Sequence, residues 1–352
     1  MAGLDAVLDQ PHRDFFDSAL GNVFGTERAL ETYAQIVDGL PIASVAVDRY
    51  GSRHEKSLSH PIARHTSLCP GATEIPRAFL AQLTISGTLS FDDELLRAYQ
   101  STQPGSGRSF ECCLIELVAR AVHQIAVLLF QQGHCIHNDV WSTEDPAYTI
   151  DAVTAWRSER TPAHFRLDPT LFSHFAYGVV EQYPDGVADA VGYWAENRVL
   201  GGVVILDRSD SWHDEHQPEP NVFLHSDYAR VTFRVWRALD KQQQSLVDFP
   251  LSGSSNTCSR ASSSPLPLAA SEKNLDRIDP EYATRRKVYR DIWSESRRAM
   301  SPRIVSATKD LSTRTVSVFG RVKETTSQMY IERHKDTRPI ETAFTKSRCV
   351  AR

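Results

Sequence analysis

Asp189, Tyr193 and Glu196 fall at i, i+4 and i+7 of a helix predicted over 186–199, so they share one face, while Val187, Val191 and Trp194 take another. Two carboxylates with a phenol between them can bind a metal or a cationic ligand. Seven residues of helix rise span about 10 Å, too far for one metal ion unless other segments fold in, and wide of the about 5–5.5 Å that a retaining glycosidase pair needs. The plain alternative is an amphipathic helix with a wet face. Asp207, at the end of the apolar run Val203–Leu206, and His225, at the end of 221–225, are the residues expected to join this face if 182–226 closes a pocket.

A second set lies in the loop Asp207-Arg-Ser-Asp-Ser-Trp-His-Asp-Glu-His216. Asp207, His213 and His216 are suitable ligands for a first-row metal. The pattern lacks H-E-x-x-H spacing, and Pro218 and Pro220 argue against a helix that would align the imidazoles, so a solvated hairpin loop is the competing reading. A third set, Gly133-His-Cys-Ile-His-Asn-Asp139, offers Cys135 and His137 as nucleophile and base, or His134, Cys135, His137 and Asp139 as a metal cluster, against the reading of a loop that merely ends a helix. No cofactor is predicted; the one that these residues could take is a divalent metal.

The fourth set is basic. As a helix, 285–298 puts Val288, Tyr289, Ile292 and Trp293 on one side, with Arg285, Arg286, Lys287, Arg297 and Arg298 crowding the rest. That suits an acidic protein surface, the chain's own acidic body, a membrane surface or nucleic acid.

The elements that must position these groups read as follows. Thr26 caps a helix over 27–38 that Gly39 stops, and 43–49 alternates like a strand. Residues 1–12 read as a loose end, and 52–73, with His54, His60 and His65, as a polar loop. Ser90–Asp93 resembles a capping box for a short helix to Gln100. The strongest helix is 109–132, whose stripe of Leu114, Leu117, Val118, Ala121, Val122, Ile125, Leu128 and Leu129 suits a central core position. Residues 133–168 look irregular, with a strand near 148–153. Strands are predicted at 171–182, 203–206, 221–225 and 231–236, and a closing helix at 242–249. Helices cluster early and strands late, which predicts an α+β fold with a mixed or antiparallel sheet from 171–236.

Composition divides the chain near Pro250. Residues 251–352 hold 20 Lys and Arg against 11 Asp and Glu, a net of +9, which leaves −14 for residues 1–250. The expected organisation is a single acidic domain over 13–250, a Ser- and Pro-rich linker over 251–280, and a basic tail over 281–352 that is disordered or partly helical. The start, MAGLDAVLDQ, has no export-signal pattern, and no stretch reaches the about 18–20 apolar residues of a membrane span. Six cysteines without a C-x-x-C pair are expected as reduced thiols. There is no G-x-x-x-x-G-K-[ST] loop, no G-x-G-x-x-G after a strand, no G-x-S-x-G elbow and no zinc-finger spacing.

The segment 182–208, QYPDGVADAVGYWAENRVLGGVVILDR, with Val222–Ser226 and the aliphatic helix 115–130, is similar to a large family of uncharacterised filamentous-fungal proteins. The resemblance covers 107–249 and implies a fungal, intracellular protein; it carries no activity. Three functions follow from the residues: a soluble binding or regulatory module without catalysis, a small-molecule enzyme of fungal specialised metabolism using an Asp/Glu/His site in 182–226, or a nuclear or nucleic-acid-associated protein acting through its basic tail.

Overall fold

The computed structural model describes residues 4–46, 60–161, 167–208, 221–227, 232–251 and 264–290. The chain divides into two units, Met1–Glu295 and Ser296–Arg352, and the first carries every element below. Helices α1 (Leu4–Val7), α2 (Gln10–Phe24), α3 (Glu27–Asp38), α4 (Glu74–Gln82), α5 (Ile85–Thr88) and α6 (Asp93–Gln100) precede the long α7 (Arg108–Gln131). Then come α8 (Ile136–Glu144), α9 (Ile150–Arg160), α10 (Val187–Leu200), β1 (Val203–Asp207), β2 (Val222–His225), β3 (Val235–Arg237) and α11 (Asp240–Leu251). β4 (Arg277–Ile278), α12 (Pro280–Arg285) and β5 (Val288–Tyr289) complete the unit.

The fold is α+β. α7 is the central helix, with 15 of its 24 residues buried. Leu114, Leu117, Val122 and Ile125 are all but fully enclosed, each contributing about 1.5–3 kcal/mol through removal from water. Against it packs α10, and the core they share extends through Val204, Leu206, Val222, Leu224 and Trp236 on one face of the sheet. The α7 helix is apolar enough over an 18-residue window to cross a membrane, but 72% of that window is buried in the fold, so packing accounts for its hydropathy.

The sheet is antiparallel throughout, in the order β4-β3-β2-β1-β5. Its second face holds Ile205, Phe223 and Val235, which pack against Ile278, Ala283 and Val288. Residues 277–289 therefore run from one edge of the sheet to the other and cover it on the way. Part of the segment expected as a linker and tail, 264–290, belongs to the folded unit. Of the segment considered as a helix, 285–298, α12 reaches only Arg285, Val288 and Tyr289 pair with Asp207 and Leu206, and 291–298 lie outside the described residues.

Other expectations are corrected locally. Residues 171–182 form no strand, because the sheet positions beside β1 and β3 belong to β5 and β4; the segment ends in a 3-10 turn at Val180–Gln182. The strand expected near 148–153 is the start of α9, capped by the Thr149 hydroxyl accepting from Ala152 N–H. The N-terminal stretch is helical from Leu4, with Asp9 capping α2. Ala43–Val45 are a turn, and 47–49 of the strand expected there lie outside the described residues. The cap of α6 is Asp92 rather than Ser90.

Candidate metal centre

α3 ends at Asp38 because Gly39 takes a left-handed conformation (φ 97°) and returns its N–H to Gln35 O. The negative pole of the helix thus coincides with a carboxylate that is fully buried. Beyond Pro41 the chain meets the segment 60–72, where His60 caps a 3-10 turn at Pro61–Arg64 and Ala43 N–H donates to His65 O. His65 and Cys69 face Asp38 from this segment, and His137, in the first turn of α8, faces it from another. One ligand-type atom from each of Asp38, His65, Cys69 and His137 lies within 4.8 Å of the other three, and all four residues are buried.

The hydrogen bonds around this tetrad orient it. His65 Nδ1 lies 3.0 Å from Pro41 O, and His137 Nε2 2.7 Å from Tyr148 O. A carbonyl can only accept, so each of these nitrogens carries a hydrogen and the other nitrogen of each ring turns into the tetrad. This is how carbonyls fix metal-ligating imidazoles. His65 Nε2 lies 2.9 Å from Asp38 Oδ2, which also accepts from Cys69 N–H. Asp38 Oδ1, buried with it, has no hydrogen-bond donor among the described residues. His137 Nδ1 is 3.6 Å from Cys69 Sγ. Ligands at about 2.3 Å (sulfur) and about 2.05 Å (nitrogen) from a tetrahedral zinc are themselves about 3.6 Å apart.

Burial, followed by the nearby Asp38 charge, pushes the Cys69 thiol up to about 12, and burial, followed by the neighbouring His65, lowers His137 to about 4. Without a cation the pair is therefore thiol and neutral imidazole, the opposite of the thiolate–imidazolium state of a cysteine nucleophile. A metal ion changes only the thiol, which it binds as thiolate, and takes the imidazole as it stands, neutral. The tetrad could hold a metal.

The sequence-predicted residues are distributed differently. Of 133–139, only His137 belongs to the tetrad; His134 bonds Gln132, and Asp139 is exposed. His213 and His216 lie outside the described residues. Asp189 and Glu196 meet at one half-buried ring: His123 Nε2 is 2.9 Å from Asp189 Oδ1, and its Nδ1 is 3.3 Å from Glu196 Oε1. Gly192 makes room for that ring, since a Cβ there would lie 2.6 Å from it. Tyr193 meets the same ring edge to face at 4.5 Å and stacks on Tyr177, whose hydroxyl is 3.4 Å from His225 Nδ1. Asp189 also accepts from Asp185 N–H, and Glu196 from Val204 N–H and from Arg290 Nη2 at 3.0 Å. Asp207 stands at the opposite end of β1 from the Val203–His225 pair, about 13 Å of strand away. The four chosen groups other than Asp207 are thus brought together, but the two carboxylates are bound to internal donors.

Desolvation opposes charge on His123, yet its contacts with Asp189 and Glu196 outweigh it and raise its pKa. Glu116 is likewise held low: burial opposes ionisation, but Arg208 and Arg120 prevail. Arg208 also donates to Arg290 O. In the basic set, Arg285, Arg286 and Lys287 are exposed, Tyr289 is in β5, and Trp293, Arg297 and Arg298 lie outside the described residues.

Asp38, His65 and Cys69 were not legible as a site. They come from two segments far apart in the chain, with His137 from a third, and the available signals were slight: a carboxylate on the last turn of a helix before glycine, and a histidine four residues before a Cys-Pro-Gly turn. No family model matches this chain, and neither a curated protein nor a solved structure matches it.

Proposed function

We propose that this protein is a binding or regulatory module built around one structural zinc ion, held by Asp38, His65, Cys69 and His137. The observation that carries the reading is the pair of imidazoles, each pinned by a main-chain carbonyl with its other nitrogen turned to a buried carboxylate and thiol. One thiolate, two imidazoles and a carboxylate suit zinc by softness and number. Four protein ligands, all buried, leave no position for water or substrate, and that favours a structural over a catalytic ion.

The alternative of an enzyme using Asp189, Glu196 and their neighbours is weaker, because those carboxylates already neutralise His123 and Arg290. Partner binding is assigned to the exposed Arg285, Arg286 and Lys287, which suit an acidic surface. A fungal, intracellular setting, from the resemblance of 182–208, completes the proposal. Elemental analysis of the purified full chain tests the metal: one zinc per chain is expected, falling well below that in Cys69→Ser. A full chain that folds and holds no zinc contradicts it.

A further inference from the structure

We infer that the metal fastens residues 133–161 to the body, so that the order of this lobe follows metal occupancy. The inference rests on the zinc reading of the tetrad and concerns what the ion controls.

The lobe has almost no core of its own. The single buried residue of α8 is His137. The 3-10 turn Pro146–Tyr148 buries none, and α9 buries only Val153 and Arg157. Beneath it lies a small apolar group, Leu40, Ala46, Ile62, Val153 and Leu171, separate from the main core, with Ile150 packed alongside, while the half-buried Ile136 of the lobe touches the main core. Ile150 rests directly on the backbone of Gly39, where a Cβ would lie 2.5 Å from it. Several of the remaining links are internal to the lobe, such as Ile150 N–H to Asn138 Oδ1 and His137 to Tyr148 O. Others run to the 60–65 segment: the Trp156 ring meets that of His60 at 4.3 Å, Arg64 pairs with Asp145 at 3.2 Å, largely in solvent, and the Arg64 guanidinium covers Tyr148. Exposed pairs of this kind contribute little.

The ligands divide in a corresponding way. Asp38 belongs to α3, which is rooted in the main core through Ala29, Tyr33, Ile36 and Val37. His137 belongs to the lobe, and His65 and Cys69 to the segment it leans on. A metal joins all three parts at one point. Without it, a carboxylate, two imidazoles and a thiol remain buried together with Asp38 Oδ1 lacking a donor, and opening the lobe restores water to each of them. The main core, with its own continuous packing through α2, α3, α7, α10 and the sheet, does not depend on that junction.

Hydrogen exchange on the full chain, zinc-loaded, chelated and refilled, with metal content verified in each state, reads this directly. The expected result is exchange at least about tenfold faster over 136–160 on metal removal, reversed by zinc, with less than about twofold change over 114–129. Stoichiometric zinc whose removal leaves 136–160 equally protected overturns the inference and leaves the zinc reading intact. Loss of protection in α7 together with the lobe overturns it as well, because the ion then supports the whole fold. A chain that takes up no zinc while 136–160 is protected overturns both.

Discussion

The rings of His65 and His137 meet edge to face at 4.7 Å, and each donates one nitrogen's hydrogen to a main-chain carbonyl, Pro41 O and Tyr148 O. The arrangement turns the second nitrogen of each ring toward a buried carboxylate and a thiol. That convergence is costly without a cation and favourable with one. The buried charge on α7 and α10 is handled differently: Glu116, Glu196 and Asp189 are matched by arginines and His123 from the chain itself.

Zinc binding should depend on pH through the thiol. Cys69 stands at about 12 in the metal-free site and must lose its proton to bind, whereas His137, at about 4, has already lost its own near neutrality. The slope of log affinity against pH between about 6 and 8 is therefore expected to fall by about one in Cys69→Ser, measured by chelator competition. An unchanged slope would remove Cys69 from the site. The same shift sets the acid behaviour of the metal-free chain. The folded pKa of His137 lies below its ordinary 6.5, so the unfolded chain binds the proton first, and stability present above about pH 6.5 drains as pH falls toward about 4.

His123 has the opposite sign. Its folded pKa is raised, so its contribution is full below the unfolded value of 6.5 and is lost as pH rises through the folded pKa. The stability margin of the wild type over His123→Gln should shrink from pH 6 to pH 9 in thermal melts, and a margin that grows contradicts the pairing of His123 with Asp189 and Glu196. Gly192→Ala, which drives a methyl into the same ring, should cost about 1–3 kcal/mol.

The lock at Arg290 is testable by a cycle. Arg290→Met leaves Glu196, fully buried, without its guanidinium and should cost about 3–5 kcal/mol in urea unfolding. The double variant with Glu196→Gln should lose less than Arg290→Met alone, since no uncompensated charge remains. Additive losses would mean that the two residues act independently.

What could be read in advance followed the strength of the local signal. Thr26 and Gly39 bracket α3 as their chemistry dictates, and the apolar stripe of α7 announced the central helix. The apolar run 203–206 became β1, and Asp189 and Glu196 do share one face of α10. Strands β4 and β5 gave no periodic signal because each is two residues long and is defined by the edge it meets. Arg290 reads as one more charge in a basic run, and only its position opposite Glu196 distinguishes it. The tetrad was invisible for a similar reason. Positions 38, 65, 69 and 137 are brought together from three segments of the chain, and no metal-site spacing links those segments.

The most direct test of the central claim is the absorption spectrum of the full chain loaded with Co²⁺ in place of zinc. The account predicts one cobalt per chain, with the intense visible bands of a tetrahedral site and a near-ultraviolet thiolate-to-cobalt band that Cys69→Ser abolishes. A weak six-coordinate spectrum, or a thiolate band indifferent to Cys69, would contradict it.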